Sequence, residues 1–160
     1  MRDTMTIQTL SAGRRWLQAA VAAAALGVAA PAFASDVADA VMRGDAAALE
    51  RLLEQGADVN EPQADGATAL HWAAYRDDVD AVRRLLAAGA DVEAANRAGT
   101  TPLLLASVAG DAEMIRLMLE AGADPNRPFA NGETALMMAA RTGNADAIRV
   151  LVEHGADVDA

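Results

Sequence analysis

From Asp36 onward the chain is written in short apolar runs separated by polar turns that carry glycine. In VDAVRRLLAA (residues 79–88), Val82, Leu85 and Leu86 stand at i, i+3 and i+4. That spacing puts them on one face of a helix. The pattern returns in AEMIRLMLEA (112–121) and ADAIRVLVEH (145–154). A second set of runs is TALHWAAYR (68–76), TPLLLASVA (101–109) and TALMMAART (134–142). Each opens on a threonine, a residue type whose side-chain oxygen can take an orphan amide as an N-cap. Pro102 falls at the first helical position, where its missing N–H costs nothing. DVADAVMR (36–43) adds an opening helix, so the pattern predicts paired short helices in an all-α chain.

The pairs recur at a fixed interval. GADVN at 56–60 returns as GADVE, GADPN and GADVD, each 33 residues on. A second series, Gly66, Gly99 and Gly132, has the same period, and so does a third, Gly44, Asp77, Gly110 and Gly143. Glycines at fixed turn positions mark backbone that needs positive φ or close approach. Asp77 is the one departure, and Asp is among the residues that tolerate that region. The stretch from each GAD to the next Gly66-type glycine is polar and extended with a tight turn, which predicts a β-hairpin-like finger. One such unit cannot bury its own apolar face, so it must be repeated and stacked. The expected organisation is an opening repeat at 35–63, repeats at 64–96 and 97–129, and a last repeat at 130–160 with an incomplete finger.

The period, the TALH tetrapeptide at Thr68–His71 and the GADVN closure resemble the ankyrin repeat. The resemblance covers residues 36 to about 160. It implies an α-solenoid of helix–turn–helix units with β-hairpin fingers, and a Thr–His hydrogen bond in the tetrapeptide. His71 becomes Leu104 and Met137 in the later copies, so that bond is expected once. The resemblance also implies a protein partner, bound along the fingertips and the concave first-helix surface. The letters that differ between repeats there are Ala64, Asp65, Tyr75 and Arg76; then Arg97, Ala98, Thr100, Val108 and Ala109; then Phe129, Asn131, Glu133, Arg141 and Thr142. Tyr and Arg are the types most enriched at binding hot spots, so Tyr75, Arg76, Arg97 and Arg141 lead. Phe129 stands where the other repeats have Gln63 and Asn96. It either forms part of the interface or packs over Pro128 and the neighbouring finger.

The two ends differ. The opening repeat lacks the threonine tetrapeptide and places Asp36, Asp39, Arg43 and Arg51 outward, as a terminal repeat needs. The last helix is as apolar as the internal ones, with Ile148, Val150, Leu151 and Val152. An uncovered apolar face is an aggregation liability. The expectation is therefore that the chain continues past Ala160, or that this face docks on a partner or on a second copy of itself.

Ahead of the repeats, Arg14 and Arg15 precede an uncharged run from Trp16 to Ala30, then Pro31 and Ala32–Phe33–Ala34 before Ser35. This reads as a bacterial export signal cleaved after Ala34. The run is shorter than the roughly twenty residues that span a bilayer. The arginine pair leaves both the general secretory and the twin-arginine routes open. A periplasmic or secreted chain follows, with no membrane attachment once the signal is removed.

Composition narrows the chemistry. The formal charge is −10 and every basic residue is arginine. Phosphate binding rests on neutralising negative charge, so nucleic acid is excluded and a basic partner favoured. With no cysteine there is no disulfide and no thiol chemistry. Without lysine there is no phosphate-binding P-loop. His71 and His154 sit at non-equivalent repeat positions, too few for a zinc site. Ser107 is not in a G-x-S-x-G turn. Asp58, Asp91, Asp124 and Asp157 recur with the period and are expected to accept turn amides. Trp72, Met137 and Met138 are expected in the core. No catalytic residue, cofactor or metal is assigned, and the chain reads as a non-enzymatic binding module. The runner-up is the N-terminal array of a larger exported enzyme or redox protein.

Overall fold

The computed structural model describes residues 36–129 and 131–159; the expected export signal lies outside them. They form eight helices: α1 (Asp36–Arg43), α2 (Ala46–Glu54), α3 (Ala69–Tyr75), α4 (Val79–Ala87), α5 (Pro102–Ala109), α6 (Ala112–Glu120), α7 (Ala135–Thr142) and α8 (Ala145–Glu153). Both helices of each expected repeat are present.

Local chemistry sets the helix boundaries. Thr101 and Thr134 accept the amides of Leu104 and Met137 through their hydroxyls, as an N-cap does. The second helices are capped by residues that the apolar pattern does not single out. The side chains of Asp45, Asp78, Asp111 and Asn144 accept the amides of Ala48, Ala81, Met114 and Ala147 at 2.8–3.0 Å. Each such cap contributes about 1 kcal/mol. Between the helices of a pair the chain turns through the left-handed region at Gly44, Gly110 and Gly143, and at Asp77 with φ 57°.

The fingers differ from the expected hairpins: among the described residues there is no strand. Each finger is a tight turn closed by two backbone bonds. Gly66 N–H donates to the Gln63 carbonyl, and Gln63 N–H to the Ala67 carbonyl, both at 2.8 Å. The pairs Gly99–Asn96 and Asn96–Thr100, and Gly132–Phe129 and Phe129–Glu133, repeat the arrangement. The physical reason is competition for the turn amides. Asp65 takes the amide of Ala67, Asn96 takes those of Ala98 and Thr100, and Asn131 takes that of Glu133. Short Asp and Asn side chains hold their own turn and leave little backbone for a ladder. A backbone bond joins the first two finger turns, Arg97 N–H to the Asp65 carbonyl at 2.9 Å. Gly66 permits it: a Cβ there would lie 3.1 Å from the Arg97 nitrogen, on a backbone with φ 85°.

The recurring aspartates do as expected. Asp58, Asp91, Asp124 and Asp157 each accept the amide two residues on, at 2.9 Å. The last letter of GADVN then ties repeats together. Asn60 donates to the Gly89 carbonyl and accepts from the Asp91 amide; Asn126 does the same with Gly155 and Asp157. At the middle junction Glu93 accepts from the Asp124 amide and pairs with Arg127 at 2.6 Å.

First helices stack in one row, α1–α3–α5–α7, and second helices α4–α6–α8 in another. The first row is built on small residues, with Ala69, Ala73, Ala74, Ala106, Ser107, Ala135 and Ala139 buried. Small side chains let helix axes approach. The second row supplies the bulk: Val82, Leu85, Met114, Ile115, Met118 and Leu151 are almost wholly enclosed. A single core runs the length of the array.

That core opens at the last repeat. Val92 is 7 % exposed, and its equivalent Val158 68 %. Leu119 is 8 % exposed, and Val152 43 %. Ala74 and Ser107 are buried while Ala140 is exposed; Val82 and Ile115 are buried while Ile148 is half-buried. At the other end Arg43 and Arg51 are exposed as expected, whereas Asp36 and Asp39 are half-buried, with Asp39 3.9 Å from Arg43.

Candidate functional site

The face to examine is the one made by the finger turns and the outer sides of the first helices. It holds an open cleft of about 290 Å³ between the second and third repeats, lined by Asp65, Ala67, His71, Trp72, Tyr75, Asn96, Thr100 and Leu105. α3 supplies His71, Trp72 and Tyr75, the finger turns supply Asp65, Asn96 and Thr100, and α5 supplies Leu105.

His71 forms the floor and joins the two repeats. Its Nδ1 accepts the Thr68 amide at 3.1 Å, and its Nε2 lies 3.0 Å from the Thr100 carbonyl. A carbonyl only accepts, so Nε2 carries the proton and the ring is neutral. Burial pushes the imidazole below its ordinary value; the bond to Thr100 and the nearby Asp65 carboxylate oppose that in part. The Thr–His bond implied by the tetrapeptide is present, with Thr68 Oγ1 2.9 Å from Nδ1.

Trp72 and Tyr75 form the wall. They are one helical turn apart, and their rings meet edge to face with centroids 5.9 Å apart. Trp72 Nε1 donates to Gln63 Oε1 at 2.6 Å, and Gln63 in turn donates to Asp39. Tyr75 is 70 % exposed. The expectation that Trp72, Met137 and Met138 are core is corrected, since all three are only half-buried. Trp72 and Leu105, at one repeat position, touch the core on one side and face the cleft on the other. Sequence reasoning placed Trp72 in the core because its equivalents are apolar. Its spacing of three from Tyr75 was the signal that it shares the surface.

The candidates fall into four situations. Asp65, Tyr75 and Thr100 come together at the cleft. Asn131, Glu133 and Arg141 form a second cluster on the last finger: Arg141 pairs with Glu133 at 2.8 Å, and Asn131 donates to the other carboxylate oxygen. Thr142 is exposed beside them, with its hydroxyl donated to the Ala139 carbonyl. Arg97 is exposed at the second fingertip, next to Ala98, while Ala64 is exposed at the first and Val108 and Ala109 at the end of α5. Two candidates are engaged in structure. Arg76 donates to the Met42 carbonyl at 3.2 Å, across the end of α1, with its guanidinium over Gly44. Phe129 is half-buried and packs against the core, which favours its packing alternative.

The buried Ser107 hydroxyl donates to the Leu103 carbonyl at 2.7 Å. Among the described residues no group of three His or carboxylate side chains has metal-binding geometry, and no helix is long and apolar enough to cross a membrane.

The family model for ankyrin repeats, in three copies, matches residues 37–129 and 93–160. No curated protein matches the chain. The stacked helix pairs, the His71 bridge and the asparagine links between repeats are the physical content of that match: the chain belongs to the ankyrin repeat family.

Proposed function

We propose that this chain is an exported, non-enzymatic module that holds a partner protein along its finger turns and first-helix face. Ankyrin repeats are in general protein–protein interaction modules. The carrying observation is the division of labour between letters. Those repeated at the period are spent on caps, turns and core, whereas Tyr75, Arg97, Arg141 and Thr142, which vary, are exposed on that one face, beside Asp65 and Asn131, which also vary and stay exposed while each holds its finger turn. Export to the periplasm or beyond is supported by the paired arginines, the apolar run and the Ala32–Phe33–Ala34 site ahead of Ser35.

Tyr75→Ala combined with Arg97→Ala is expected to abolish capture of the partner, each hot spot contributing on the order of 2 kcal/mol or more. The partner would be recovered by crosslinking in the exported fraction. Helical circular dichroism and melting should not change, because both side chains are exposed. A parallel loss of melting temperature would make them structural residues and sink the assignment.

The burial contrast at the last repeat favours a second surface. There, Leu136, Ala140, Ile148, Val152 and Val158 are each more exposed than their equivalents in the inner repeats. For the 36–159 array taken by itself, we propose that a second copy covers this end. Light scattering should then show a mass that grows with concentration, and Ile148→Asp should hold it at the monomer value. A monomer at all concentrations would rule the reading out.

A further inference from the structure

We propose that the cleft at Trp72 and Tyr75 receives an arginine or lysine side chain of the bound partner. This rests on the first-helix and finger-turn face being the binding face. Four observations point to a cation.

First, the walls are aromatic and set at right angles, with the Trp72 and Tyr75 planes at 90°. Ring faces attract cations through their quadrupole. Second, the indole N–H is already donated to Gln63, which is itself held by Asp39. The ring therefore has no donor left for an anionic guest, and its plane is held before binding, which lowers the cost of ordering it. Third, Asp65 supplies the only ionised side chain in the lining. The His71 imidazole is neutral by its bonds to Thr68 and Thr100. An acidic guest would be repelled by Asp65, and an apolar one would strip water from its carboxylate without compensation. Fourth, the nearby arginines are not in the lining. Arg76 is spent on the Met42 carbonyl, and Arg97 meets Asp65 through its backbone amide. At about 290 Å³ the cleft has room for one long side chain.

The test is a nuclear magnetic resonance titration of the chain with the capped peptide Gly-Gly-Arg-Gly-Gly, its Lys form, and Gln and Glu controls. The Arg and Lys peptides should shift the Trp72 indole N–H and the Tyr75 and Thr100 amides saturably, in the millimolar range expected of one exposed contact. The Gln peptide should bind roughly tenfold more weakly, and the Glu peptide should shift none of these signals. Asp65→Asn should weaken the Arg peptide about threefold. Tyr75→Leu should weaken it about fivefold.

A Gln peptide that titrates the cleft as well as the Arg peptide overturns the cation preference and leaves the binding face standing. Shifts that cluster on Val152 and Val158 instead overturn the cleft and the binding face together. No shift with any peptide also overturns the cleft, while double-variant capture judges the face independently.

Discussion

Ile115→Ala is expected to destabilise the array by about 2–5 kcal/mol, the usual cost of emptying a buried isoleucine site. The same substitution at Ile148, one repeat on, should cost about half as much. The two residues hold the same letter at the same repeat position. They differ only in what covers them: Ile115 on α6 is fully enclosed between neighbouring repeats, and Ile148 on α8 is half-buried. Urea unfolding at low protein concentration would measure both. For a chain of this length the inner variant should melt roughly 10–20 °C lower. It should also unfold less cooperatively, because a solenoid transmits stability only between neighbours and a weakened middle repeat uncouples the ends. Equal costs would mean that the last repeat is covered even in the monomer. A cost at Ile148 that rises with protein concentration would tie the open face to self-association.

His71→Leu is expected to lower stability above pH 7 by about 1–3 kcal/mol and to remove a pH dependence. The first effect follows from the Thr68 amide and the Thr100 carbonyl, both of which lose their imidazole partner in a poorly hydrated place. Leucine is the apt replacement, because Leu104 already occupies the equivalent position in the next repeat. The second effect follows from linkage. Folding lowers the imidazole pKa from its ordinary 6.5, chiefly through burial. Between the two values the unfolded chain binds more protons than the folded one, so stability rises with pH there. The contribution of His71 is complete above pH 6.5 and is lost as pH falls through the lower folded value. Protonation at Nδ1 would turn the acceptor of the Thr68 amide into a second donor, which is the local form of the same loss. Urea midpoints at pH 8 and pH 5.5, for the native chain and the variant, separate this from the carboxylates, which titrate in both. Parallel slopes in the two proteins would remove His71 as the cause.

The His71 bridge also shows where sequence reasoning reached its limit. The tetrapeptide announced the bond to Thr68, since that partner is three residues away. It did not announce Thr100, which is 29 residues away and arrives only when the next finger turn stacks. Arg76 is the converse case. Its type and its variation between repeats suggested a hot spot, yet its guanidinium spans 34 residues to the Met42 carbonyl. Which arginine is free is a question about neighbours, and the sequence does not list neighbours.

Much was determined by the sequence alone: the period, the paired helices, the N-cap threonines, the turn glycines with Asp77 among them, and the aspartates that close each GAD turn. These are local or strictly repeating, so spacing and residue type suffice to read them. Tertiary structure decided the rest. It reduced the fingers to single turns, because Asp65, Asn96 and Asn131 claim the amides that a ladder would need. It moved Trp72 from the core to the wall of a cleft beside Tyr75. It gave identical letters unequal burial at the inner and last repeats. Each of these depends on what the next repeat brings to the residue, and packing between units is set by contacts that no single unit contains.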